Sequence, residues 1–153
     1  MFEIPGRFFP KKNIVVDKID KTFDSAFGDS RWAAAAARAD PLISTNSFYL
    51  GPASETFRAM KYLRKHASDL TLTLYIMHSK TDTRTDVTAA RSFFASAGSV
   101  DKEITVYDDA SHLLFQDKTE NVQRAINDMI SWFDKRFWSL LNLATIRIKF
   151  SQV

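Results

Sequence analysis

With 153 residues, 45% of them hydrophobic and 25% charged, the chain has the size and composition of a single globular domain and lies outside the range of disordered or fibrous proteins. The formal charge of +3 is scattered, with Lys11-Lys12 the longest basic run, so neither charge nor patterning argues for nucleic acid. Cysteine is absent, which excludes disulfides and thiolate metal sites and fits a reducing, cytoplasmic compartment. The start, Met1-Phe2-Glu3-Ile4-Pro5, has no basic region ahead of an apolar run, so no secretory leader is expected. No apolar stretch approaches the roughly 20 residues that span a bilayer.

Residues 1–50 are rich in aromatics (Phe2, Phe8, Phe9, Phe23, Phe27, Trp32, Phe48, Tyr49) but sustain neither strand nor helix periodicity outside Ala33 to Ala37. That run predicts one short helix, capped near Asp29 or Ser30 and ended before Asp40-Pro41, because a proline restricts the residue ahead of it. An irregular aromatic segment cannot bury its own rings and must pack on something larger. It is either the loop-rich edge of a core or a lid over an apolar ligand. After Gly51-Pro52 a clearer helix is predicted, with Phe57, Met60, Leu63 and Ala67 on its buried face and Glu55, Arg58, Lys61, Arg64 and Lys65 in solvent. His66, near its end, suits the helix dipole and reads as structural.

Leu70 to Met77 alternates leucine and isoleucine with polar residues, a strand pattern, and the polar run His78 to Asp86 follows as a turn. A helix begins near Thr85, buries Val87, Ala90, Phe94 and Ala97, and is expected to stop at Gly98. A second strand, Glu103 to Tyr107, leads into the turn Asp108 to His112. The last clear helix opens with the capping-box pattern Asp117-x-x-Glu120 and is expected to bury Val122, Ile126, Met129, Ile130 and Phe133. Strand, helix, strand, helix implies parallel pairing with a right-handed crossover, which sends the polar turns to one sheet edge. Beyond Arg136 the chain becomes an atypical apolar tail, residues 138–153, in which Arg147 and Lys149 alternate with apolar residues; packing in a core and contact with a membrane surface are both open.

Asp82 and His112 lie 30 residues apart, each just past a predicted strand end. Neighbouring parallel strands would bring them within hydrogen-bond range, and a carboxylate behind an imidazole fixes its tautomer and stabilises its charged form in acyl transfer. Residue types alone leave open that both are ordinary turn or surface groups. The three histidines, His66, His78 and His112, lack metal-ligand spacing, and neither a metal nor a cofactor is expected.

From about Asp40 to Arg136 the sequence resembles the carboxyl-terminal half of α/β-hydrolases of the monoacylglycerol lipase and lysophospholipase group, also filed under the serine aminopeptidase family. Asp40-Pro41-Leu42 is similar to the motif that follows that family's lid, and His78-Ser79-Lys80-Thr81-Asp82 to its His-Gly-x-x-Asp. Ser96 to Lys102 is similar to the family's helix end, Tyr107 to His112 to its Tyr-x-x-Ala-x-His, and Trp132 to Arg136 to its closing helix. The resemblance implies the carboxyl-terminal portion of an α/β-hydrolase fold, with parallel strands, crossover helices and part of the lid in front. The implied divisions are 1–50 for the partial lid, 51–137 for the hydrolase portion and 138–153 for the tail.

The implied activity is carboxylic ester hydrolysis on a lipid-like ester such as a monoacylglycerol or lysophospholipid, with Asp82 and His112 as two members of the catalytic set. Two departures stand out. Ser79 replaces the usual glycine, which predicts strain in the turn that presents Asp82. Glycine occurs only at 6, 28, 51 and 98, so the G-x-S-x-G elbow that carries the family's nucleophile is missing from this chain. Ser111, beside His112, is not expected to replace it. The chain is therefore expected to be part of a hydrolase, through gene-model truncation or a split gene; the alternative is a non-catalytic descendant of the fold that binds a lipid or a protein.

Overall fold

The computed structural model describes residues 8–15, 24–43 and 47–150. Phe2 and Phe23 of the aromatic segment lie outside the described residues, as do the side chains of the apolar tail. Four strands and four α-helices are described: β1 (Asn13–Val15), α1 (Arg31–Ala39), β2 (Ser47–Tyr49), α2 (Leu50–Lys65), β3 (Leu74–Ser79), α3 (Val87–Ser96), β4 (Lys102–Tyr107) and α4 (Thr119–Phe150). Short 3-10 turns occupy Asp24–Phe27, Ala67–Asp69 and Leu114–Gln116.

The centre is the parallel pair β3–β4, in register from Leu74 opposite Lys102 to Ser79 opposite Tyr107, with α3 as the connection. β3 begins later than the leucine alternation predicts and runs further. Leu70 closes the preceding 3-10 turn, Leu72 is exposed, and His78 and Ser79, expected in a turn, are the last strand residues. From Leu74 to His78 every residue is half-buried, so the strand has no clean inner and outer face. α3 is capped by Asp86, the residue after Thr85, and the Asp86 carboxylate accepts from the Thr88 N–H. Its far end does not close through a left-handed glycine. Ala97 is extended there, and Gly98 is required because a Cβ would strike the Ser68 carbonyl oxygen. The C-terminal carbonyls are met instead by Lys102, whose ammonium donates to Phe94 O at 2.8 Å and Ala97 O at 2.7 Å and sits 5.2 Å from the Phe94 ring.

α4 lies against β4 through Tyr107, which is buried and donates its hydroxyl to Asp128 at 2.8 Å. Burial, then this carboxylate, push the Tyr107 phenol well above its ordinary value. The buried stripe of α4 is Asn121, Ala125 and Trp132, each one position before the expected Val122, Ile126 and Phe133; Val122, Ile126 and Met129 are half-buried, and Ile130 and Phe133 are exposed. Trp132 stacks on Tyr75 at 5.3 Å and lies under the Arg136 guanidinium, which forms a two-pronged pair with Asp101. The helix backbone continues without a break to Phe150.

The amino-terminal segment carries more structure than its sequence suggests. β1 and β2 pair antiparallel, Ile14 opposite Phe48, and the first N–H groups of α2 bond to the carbonyls of Lys12 and Pro10. Ala26, Phe27, Ala33 and Ala34 form a small core against Leu113. Of the face expected to be buried, Ala67, just past the end of α2, is buried, but Phe57, Met60 and Leu63 are each about half exposed, and within the helix only Leu50 and Ser54 are buried. The helix packs on β2 and on the 3-10 turn that follows it.

Candidate functional site

Asp82 and His112 stand just beyond the carboxyl ends of β3 and β4, and the parallel register brings them together. His112 Nδ1 lies 2.7 Å from Asp82 Oδ2, and the Asp82 side chain is almost fully enclosed, at 4% exposure. The same oxygen accepts the Thr85 hydroxyl, while Oδ1 accepts the backbone N–H groups of Arg84 at 2.7 Å and Thr85 at 3.1 Å. Burial alone would raise this carboxyl's pKa. The bonds from His112, Thr85 and the two N–H groups outweigh it and hold Asp82 far below the usual carboxylate range.

An ionised carboxylate only accepts, so the ring proton of a neutral His112 sits on Nδ1 and leaves the Nε2 lone pair free. Among the described residues, nothing hydrogen-bonds to Nε2. This imidazole can take a proton at Nε2 with a fixed counter-charge behind it. His112, Leu113, Leu114, Phe115 and Gln116 line an open, mainly apolar cavity of about 220 Å³ beside it. His78, half-buried in β3, reaches the back of the pair, with Nε2 at 3.1 Å from the Thr85 hydroxyl and 3.9 Å from Asp82.

Ser79 does not strain the Asp82 turn. It has no left-handed φ, is buried at the end of β3, and bonds through its hydroxyl to the Ala110 carbonyl in the other turn. Ser111 places its hydroxyl in a buried position with no hydrogen-bond partner, His112 included, so nothing there activates it as a nucleophile. Asp117, the first residue of the expected capping box, lies two residues ahead of α4 and is buried. Its carboxylate holds the Ser111 N–H at 2.6 Å, the Lys118 N–H at 2.6 Å and the Asn121 amide at 3.1 Å. Helical periodicity carries no trace of that role, because the partner lies in a loop six residues upstream. Among the described residues no three His, Asp or Glu side chains are grouped to hold a metal ion, and no helix is long and apolar enough to cross a membrane.

Comparison with known proteins gives a consistent answer. A stretch of 61 residues is 38% identical to the monoglyceride lipase of Saccharomyces cerevisiae, covering 39% of this chain and 20% of that one. The crystal structure of a soluble variant of that yeast lipase, in complex with a substrate analogue, superimposes over 88% of this chain with a TM-score of 0.73 and 22% identity. The monoacylglycerol lipase of Paleococcus ferrophilus superimposes over 86%, also at 0.73, with 18% identity. The chain spans about half of these two structures, 47% and 49% of their lengths, and a smaller share of the curated relative. The model of the family described as serine aminopeptidase, S33, matches residues 1–119. With most of its length inside that match and its strands and helices laid out as in the two lipases, the chain belongs to the serine aminopeptidase S33 family and has a partial α/β-hydrolase fold of the monoacylglycerol lipase-like group.

Proposed function

We propose that this chain supplies the acid–base half of a serine ester hydrolase that acts on lipid-like esters, a monoacylglycerol or a lysophospholipid. The observation that carries the proposal is the 2.7 Å contact between His112 and an Asp82 carboxylate already satisfied by three further donors. A serine outside these 153 residues would attack the ester carbonyl as its proton passes to His112 Nε2. The bond between carbonyl carbon and alkoxy oxygen then breaks, and His112 returns the proton to the departing alcohol. Water repeats the sequence on the acyl-serine and regenerates the hydroxyl. Asp82 keeps Nδ1 protonated and balances the imidazolium. The apolar cavity at Leu113, Leu114 and Phe115 supports an acyl chain as the adjoining group.

In this reading residues 1–50 are part of a lid, 51–137 the hydrolase portion and 138–153 a tail that touches a membrane surface from the cytoplasmic side. The purified chain alone is expected to be silent on a short p-nitrophenyl ester and unlabelled by a fluorophosphonate. Mixed with a polypeptide bearing the nucleophile elbow of a relative, it should gain activity that His112→Ala removes. A labelled serine in the chain alone, or complemented activity indifferent to His112→Ala, would overturn the proposal. Deleting residues 138–153 should reduce co-sedimentation with liposomes; unchanged binding would remove the tail from the reading.

A further inference from the structure

The residue before His112 joins the chain through the Ala110–Ser111 peptide, and both ends of that one peptide are held by side chains. Its carbonyl oxygen accepts two hydroxyls, Ser79 Oγ and Thr81 Oγ1, the latter at 2.7 Å. Its N–H donates to Asp117 Oδ2 at 2.6 Å. Ala110 is 3% exposed, Ser79 1% and Asp117 5%, so their bonds are shielded from water, while Thr81 closes the clamp from the exposed side. Each hydroxyl spends its single proton on the Ala110 carbonyl, and Ser79 Oγ accepts the Thr81 N–H at 3.1 Å. On the far side of the ring the Leu113 N–H donates to Ala26 O at 2.9 Å.

A peptide plane is rigid, so fixing both its polar ends fixes the direction in which the chain enters Ser111, the residue next to His112. Carboxylate on the N–H and hydroxyls on the carbonyl polarise the plane in the same sense, each strengthening the other. The carbonyl clasp also ties the turn after β4 to the turn after β3, which holds Asp82. We infer that Ser79, Thr81 and Asp117 are positioning residues that clamp the Ala110–Ser111 peptide and thereby set the His112 ring against Asp82. For catalysis this rests on the acid–base role proposed above; as a physical device it does not. The clamp uses a hydroxyl where the family motif has glycine, so it is built into this chain by the Ser79 departure itself.

The test is proton NMR of the full chain, observing the His112 Nδ1–H resonance and the hydrogen exchange of the Ser111 amide. In Ser79→Ala/Thr81→Val, with far-UV circular dichroism unchanged, the Ser111 amide should exchange at least about tenfold faster and the Nδ1–H signal should broaden or vanish. The Lys80 amide, bonded to Tyr107 O in the sheet, should exchange as in the parent. Thr81→Ser in the Ser79→Ala background should restore the signal. A folded double variant with parental exchange and an unchanged resonance would overturn the inference. If the double variant does not fold, Thr81→Val alone must still accelerate Ser111 exchange, and no acceleration overturns it equally. A parent chain that shows the Nδ1–H resonance yet gives no complemented hydrolysis would count against the proposed function and leave the clamp standing.

Discussion

Replacing Asp82 with asparagine changes one oxygen to an amide and should separate stability from chemistry. In Asp82→Asn the remaining oxygen can keep the Arg84 and Thr85 N–H groups, while the new amide nitrogen faces His112 Nδ1 and the Thr85 hydroxyl, both of which donate to the present carboxylate. His112 answers by moving its proton to Nε2 and accepting at Nδ1. All four bonds lose the carboxylate's charge, and the two from His112 and the Thr85 hydroxyl must also reverse or break, so the fold should weaken by about 2 kcal/mol. The tautomer is then the wrong one to accept a proton at Nε2. In the Ser-His-Asp triad of serine proteases the same exchange of aspartate for asparagine lowers kcat by about 10⁴, and a loss of that order is expected of complemented activity here. The pH dependence has a definite sign. Asp82 is held below its unfolded value, so its contribution is fully present above about pH 4 and is lost as pH falls toward the folded value. At pH 3, about 0.9 units below the unfolded value, roughly 1.2 kcal/mol of it should be gone. Urea denaturation of parent and variant at pH 7 and pH 3 should therefore show a gap of about 2 kcal/mol that shrinks to about 1. An unchanged gap at pH 3, or one below about 0.5 kcal/mol at pH 7, would refute the reasoning.

Gly28 has φ +56°, and a Cβ there would fall 2.6 Å from Asp117 Oδ1, so Gly28→Ala should cost at least about 1 kcal/mol by thermal or chemical unfolding. Trp132 is buried with its ring N–H unpartnered, so Trp132→Phe should cost less than about 1.5 kcal/mol while Trp132→Ala costs about 3 to 5. Equal losses would mean the stack on Tyr75 does not matter. Arg136→Lys should lower Tm, because an ammonium cannot reproduce the two-pronged bond to Asp101 over the Trp132 face, and the deficit should narrow at high salt.

The parts of the fold that are legible in the sequence are those written in local periodicity. β4, α1 and α3 lie within one or two residues of their expected positions, and the order of strands and helices sends the Asp82 and His112 turns to one sheet edge, where the two side chains meet. What escapes is decided by contacts across the fold. Asp117 matches a helix-cap pattern but serves the His112 turn, and nothing in its own segment distinguishes the two uses. Ser79 reads as a defect beside a glycine motif until the Ala110 carbonyl appears opposite its hydroxyl. Phe57, Met60 and Leu63 have the spacing of a buried helical face, yet spacing cannot say whether anything is there to bury them. β1 and β2 are three residues each, too short for alternation to register, and form only because they meet.

Lys102 gives the β3–α3–β4 unit a chemical reporter. Reagents that acylate or methylate amines need a free nitrogen lone pair, and this nitrogen is committed to the carbonyls at the end of α3. It can react only when the helix end lets go, so its labelling rate counts local openings of the unit. Lys65, exposed at the end of α2, would label at the rate of a solvated amine in the same sample, as an internal clock. Mass spectrometry of a single partially modified preparation would thus read how often the scaffold beneath the Asp82–His112 pair comes apart.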